Sequence, residues 1–168
     1  VLLVSAACSP DLPTNATTVP AGAGPLQAVL TETSATVVPR AYATGINNAG
    51  VMVGTYWEHG FTRGVVWSPA GSDTLQGLPH SRAWDLAMSI NDAGRIVGMA
   101  NDSVYQQRPV VWASARAAPV VLPDLGNGGQ ATDINRGGMI AGWVRLWDFV
   151  PHAAVWTAEG TLIDLDSA

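Results

Sequence analysis

The chain has 168 residues, a formal net charge of -5 and 12% charged residues, and its eight basic residues are all arginine. An apolar fraction of 48% suffices for a packed core and excludes wholesale disorder. An acidic chain without a basic stripe has no means of displacing counterions, which argues against a nucleic-acid partner.

The chain opens Val1-Leu2-Leu3-Val4-Ser5-Ala6-Ala7-Cys8. This run is too short to cross a bilayer, which takes about 20 apolar residues. One reading is a ragged apolar end. The other is the tail of a secretory signal, an apolar stretch followed by small residues. Ala6-Ala7-Cys8 resembles a bacterial lipoprotein signal, although Ser5 stands where leucine is usual. The resemblance implies lipidation of Cys8, export to the cell envelope or beyond, and a membrane contact through that lipid only. Cys8 is the one cysteine, so no disulfide framework is expected. Residues 9–25 are rich in Pro, Thr, Ala and Gly and read as a flexible tether. Residues 26–40 contain two strand-like runs, 26–30 and 35–38, and read as a degenerate half repeat.

From residue 41 a repeat governs the chain. Three segments share the pattern A-x-x-I-N-x-x-G-x-x-x-G: Ala43 to Gly54, Ala87 to Gly98 and Ala131 to Gly142. The first half predicts a short strand entering a tight turn. Asn47, Asn91 and Asn135 are placed to bond their own backbone two residues on. Gly50, Gly94 and Gly138 are placed to supply the positive φ of the turn. The closing Gly54, Gly98 and Gly142 predict a bulge or a close backbone approach. A β-branched third strand ends at Trp67, Trp112 and Trp156, with Arg63, Arg108 or His152 four residues earlier. A looser leucine-containing block, around Leu75, Leu122 and Leu162, predicts a fourth strand. Four short strands in about 44 residues is the size of one propeller blade. The expected fold is all-β: four-stranded antiparallel units, β-propeller-like, in repeats 41–84, 85–128 and 129–168. Each Trp is expected to pack between neighbouring units, because one repeat cannot bury its own faces. About three and a half repeats is below the usual 4–8 blades of a closed ring. The expectation is therefore a partial array, an open array, a minimal ring, or closure through another copy.

These motifs resemble the bacterial extracellular repeats called HAF repeats, named for His-Ala-Phe. His152-Ala153-Ala154-Val155-Trp156 is the nearest match to the naming motif. The other copies carry Arg63 and Arg108 instead of His, and none has the Phe. The resemblance covers residues 41–168 and implies an exported protein of propeller-like architecture with no established enzymatic activity.

No catalytic constellation stands out. His59, His80 and His152 fall at unrelated phases of the repeat, so no metal site is expected. No nucleophile elbow or phosphate loop is present, and no cofactor is expected. Repeated Asp residues read as turn bonds, and Arg63 and Arg108 as ties between strands. Specificity is better sought where the repeats differ, because variation maps to loops. After the closing glycines the copies diverge: Tyr56, Trp57 and His59 in the first; Asn101 and Tyr105 in the second; Arg145 and Trp147 in the third. Aromatic rings beside polar groups suit a glycan or protein ligand at the cell surface. The alternative is that Trp57, Trp143 and Trp147 fill the core or the blade interfaces. The reading is a non-enzymatic exported scaffold or binding module. The alternative is a fragment of a propeller-type hydrolase or lyase whose catalytic residues lie in other repeats.

Overall fold

The computed structural model describes residues 40–81 and 84–167. Cys8, the tether and residues 26–39 of the half repeat lie outside the described residues. Twelve strands form three antiparallel sheets of four, in which neighbours in sequence are neighbours in space. Blade 1 holds β1 (Ala41–Ile46), β2 (Met52–Glu58), β3 (Phe61–Ser68) and β4 (Gly71–Thr74). Blade 2 holds β5 (Asp85–Ile90), β6 (Ile96–Asn101), β7 (Gln107–Trp112) and β8 (Pro119–Val121). Blade 3 holds β9 (Gly129–Ile134), β10 (Ile140–Arg145), β11 (Pro151–Trp156) and β12 (Leu162–Asp164). The fold is all-β, built from repeated propeller-like units.

The first hairpin of each blade follows from three residue types. Asn91 Oδ1 accepts from the backbone N–H of Ala93 and Arg95, at 3.1 Å each. Asn47 does the same with Ala49 and Val51. Gly50, Gly94 and Gly138 have φ of 73°, 79° and 87°, where a side chain would be strained. One residue is then bulged out of each first strand: Thr44, Met88 and Thr132. Opposite each bulge stands a closing glycine. A Cβ on Gly98 would fall on the Leu86 carbonyl oxygen, and one on Gly54 on that of Tyr42. The same glycines give room for the tryptophan of their own blade, since Trp67 and Trp156 lie over Gly54 and Gly142.

The leucine block holds the fourth strand in blade 3, where β12 is Leu162–Asp164, but in blade 2 only its Val120 and Val121 are in β8 and in blade 1 only its Thr74 is in β4. There β4 and β8 end just before Leu75 and Leu122. The two leucines are nevertheless buried, and their amides bond back to the Gly64 and Pro109 carbonyls at 2.9 and 2.8 Å. Leucine here marks a plug between blades.

The core is made of two such interfaces. In the first, Val53, Val66 and Leu75 of blade 1 close on Ala87, Ile90 and Trp112 of blade 2. In the second, Val97, Val111 and Leu122 of blade 2 close on Ala131, Ile134 and Trp156 of blade 3. Both tryptophans are fully buried. Their indole N–H groups, which burial would otherwise strand, donate at 2.8 Å to the carbonyls of Gln76 and Pro123 in the preceding blade.

Polar bonds at the repeat period reinforce the stacking. The Asn47 side-chain amide donates to the Asn91 carbonyl, and that of Asn91 to the Asn135 carbonyl, both at 3.2 Å across 44 residues. Thr44 Oγ1 donates to the Ala87 carbonyl at 2.7 Å. Asn48 donates to the Asp92 carboxylate from its backbone and its side chain, which holds that carboxyl below the usual range. The motif asparagine is therefore both a turn residue and a tie between blades.

Candidate ligand-binding cleft

The turns that follow the closing glycines lie at the opposite end of each sheet from the Asn turns. In blade 2 this turn is organised by Asp102, whose Oδ1 accepts from the Val104 and Gln106 amides at 2.9 and 3.0 Å. Its Oδ2 accepts from Arg108 Nε at 3.1 Å, and Arg108 Nη1 donates to Asp124 at 2.6 Å. Burial would raise the Asp102 carboxyl, but these amides and the guanidinium outweigh it and hold it below its usual range. Arg108 thus ties the β6–β7 turn to the segment after β8. His152, at the matching sequence position in blade 3, has Nδ1 3.0 Å from Asp164 at the end of β12 and, among the described residues, no link to the β10–β11 turn.

A cleft of about 490 Å³ opens between blades 2 and 3 at this end. Three residues singled out from sequence divergence line it together: Asn101 at the end of β6, Tyr105 in the β6–β7 turn and Arg145 at the end of β10. Trp84, Asn127 and Phe149 line it as well. Tyr105 and Phe149 sit at turn tips with φ of 64° and 63°, and both are exposed. Arg145 is aimed by its neighbour, with its guanidinium 4.4 Å from the Trp143 ring centroid. The floor is braced by Gln106, which donates to the Gly126 carbonyl, and Asn127, which donates to the Leu146 carbonyl. Asn101 Oδ1 is buried without a hydrogen-bond partner among the described residues.

The other candidates lie elsewhere. Tyr56 bonds Glu58 and Thr74 within blade 1, both at 3.3 Å. Trp57 is half exposed and meets Trp84 edge-on, with centroids 6.5 Å apart. It therefore adjoins a cleft residue without lining the cleft. His59 sits at the β2–β3 turn with φ 48°, beside Glu58. Trp147 is 81% exposed at the β10–β11 turn and also outside the cleft lining. Neither Trp57 nor Trp147 fills the core, and Trp143 lies half-buried beneath Arg145. Trp84 and Asn127 precede β5 and β9 at nearly the same repeat phase. That shared phase was the available signal for them.

One acid departs from the pattern. Asp85, at the start of β5, is fully buried with no hydrogen bond to its carboxylate among the described residues. Burial raises its pKa to about 6, and Arg63, with Nη1 3.7 Å away, offsets only part of that. Gly77 takes the place in blade 1 that Asp124 holds in blade 2, two residues after the plugging leucine. A Cβ on Gly77 would lie 2.7 Å from Asp85 Oδ2. So the carboxylate facing Arg63 comes from the next blade. A raised carboxyl is a frequent mark of functional sites, but this one has no solvent exposure. Among the described residues no three His, Cys, Asp or Glu gather as metal ligands.

No family model matches the chain, and neither a curated protein nor a solved structure matches it.

Proposed function

We propose that the chain is a non-enzymatic binding module, exported to the cell envelope or the cell surface, that takes a glycan in the cleft between blades 2 and 3. The observation that carries the reading is the convergence of Tyr105, Trp84 and Phe149 with Asn101, Asn127 and Arg145 around one opening. Exposed rings provide apolar platforms for sugar faces, and amides and a guanidinium provide hydrogen bonds to hydroxyls or carboxylates. Export rests on the lipoprotein-like Ala6-Ala7-Cys8 and the tether. The likeness of residues 41–168 to HAF repeats supports the same address.

The test is a glycan array probed with the purified chain and with Tyr105→Ala, Arg145→Ala and Trp147→Ala. The first two variants are expected to stay folded and lose binding at least tenfold, while Trp147→Ala binds as the parent does. Absence of any glycan binding, or equal binding by all variants, overturns the reading. Palmitate labelling in cells, abolished by Cys8→Ser, tests the anchor separately.

A further inference from the structure

We infer that the cleft between blades 2 and 3 selects acidic saccharides, with Arg145 holding the carboxylate of a uronic acid. The assignment rests on the glycan reading of the cleft and names the class of sugar that it takes.

Two positions account for an opening at this interface. Trp57, Asn101 and Arg145 each stand three residues after the closing glycine of their blade. The Asn101 amide bonds the Trp84 carbonyl at 3.2 Å, and the Arg145 amide bonds the Gly128 carbonyl at 2.9 Å, so Trp84 and Gly128 are equivalent. Between blades 1 and 2, Trp57 meets Trp84 edge-on. Between blades 2 and 3 the same pair is Asn101 and Gly128. Gly128 has φ of 78°, and a Cβ there would fall on the Gln107 carbonyl oxygen. That place is closed to any side chain. Without the two indoles the gap stays open, and Arg145 lines it.

The charge in the gap has one sign. Arg145 is the one charged residue among those lining it. Arg63, Arg108 and Arg116 each stand beside a carboxylate, whereas Arg145 has none among the described residues. The acids close to the lining in sequence have other partners. Asp85 faces Arg63, and Asp102 and Asp124 hold Arg108. Asp148 accepts from the Val150 amide and is exposed, where solvent and salt screen its charge. The Trp143 ring covers one face of the Arg145 guanidinium. Stacking leaves the in-plane N–H groups free, and these match the two oxygens of a carboxylate. Gln106 and Asn127 give their amide N–H groups to backbone carbonyls, which leaves their side-chain oxygens to accept from hydroxyls. A neutral sugar that covered Arg145 would desolvate a charge without replacing its partner, which is unfavourable. A uronate supplies that partner.

A glycan array tests the assignment, carrying uronate oligomers of the gluco, galacto and manno series, each beside its methyl ester and its neutral parent. Esterification keeps the shape and removes the charge. At least one acid should bind about tenfold or more tighter than its ester, in keeping with one hydrogen bond to a charged group. Added salt should weaken the acid and leave the ester unchanged. Arg145→Gln should bring the acid down to the level of its ester, and Arg145→Lys should keep part of the preference. Arg136→Gln removes the same charge from the end that carries the Asn turns and should leave the preference intact. If Arg145→Gln does not fold, the comparison of acid with ester on the parent decides alone. Esters or neutral oligomers that bind as tightly as the acids overturn the assignment and leave the glycan cleft standing, and so does a preference that survives in Arg145→Gln. Binding of no glycan overturns the cleft reading and the assignment with it.

Discussion

The indole N–H of Trp112 donates to the carbonyl of Gln76, 36 residues earlier and one blade away, at 2.8 Å. The bond ends on the short segment between blades, so a side chain in one repeat holds the exit of the repeat before it. Trp156 and Pro123 form the same pair one step along. Trp112→Phe keeps most of the ring and strands the Gln76 carbonyl. It is expected to cost about 1–3 kcal/mol, as for a buried group left without its partner. Trp112→Ala should cost about 3–5 kcal/mol. Urea denaturation of both variants measures this, and a phenylalanine variant as stable as the parent would remove the bond from the account.

The glycines separate into two kinds. Gly98 lies against the Leu86 backbone with no space for a methyl group, whereas Gly60 is open and only its φ of 86° is unusual. Gly98→Ala must push a strand apart and is expected to lose several kcal/mol or fail to fold. Gly60→Ala should cost about 1–2 kcal/mol, the ordinary left-handed penalty. Thermal melts of the pair, read side by side, decide whether steric approach or backbone freedom governs each position.

Asn91 carries two jobs on two atoms. Its Oδ1 serves its own turn and its Nδ2 reaches the Asn135 carbonyl. Asn91→Asp retains the acceptor and replaces the donor with an oxygen facing another oxygen. A loss of about 1–3 kcal/mol is expected at neutral pH. If the variant matched the parent in chemical denaturation, the tie between blades would have no energetic weight.

Asp85 gives the fold a pH dependence of unusual sign. Its folded pKa of about 6 lies above the ordinary 3.8, so the folded state holds the proton more tightly than the unfolded chain. The stability from this group is fully present below about pH 3.8 and is lost as pH rises through 6. Between pH 5 and 7.5 the parent should lose about 1 kcal/mol from this source. Asp102 and Asp164, both held below the usual range, act oppositely, but only at more acidic pH. Asp85→Asn should flatten the profile between pH 5 and 7.5, measured by guanidinium melts at each pH. An unchanged slope in that variant places the titration on another group.

Most of the architecture was legible because the signals were local and came three times. Asn followed by Gly at a fixed offset specifies a turn, and a glycine two turns of pleat later specifies a tight crossing. The fourth strand was placed correctly in blade 3, was expected one or more residues late in blade 2 and missed almost wholly in blade 1, because leucine there reports burial rather than pairing. β4 pairs with β3 through Gly71 to Thr74, a stretch whose side chains are polar or absent and of which Thr74 alone favours a strand. The cleft was half legible. Divergent loops identified Asn101, Tyr105 and Arg145. Phe149 looked like any exposed turn residue, and Trp84 and Asn127 belong to connections, where a shared phase one residue out of register is the only flag. Asp85 was invisible as a buried acid, since its environment is set by Gly77 from another repeat.

That exchange between Gly77 and Asp85 has a consequence for assembly order. Blade 3 carries Gly129 where blade 2 carries Asp85. If β9 docked on blade 1 in place of β5, Arg63 would face no carboxylate, and Arg108 already has Asp124 within its own blade. Repeats of one fold are prone to pairing out of turn as they fold. A single relocated charge makes one neighbour correct for blade 1, so the series carries its own numbering.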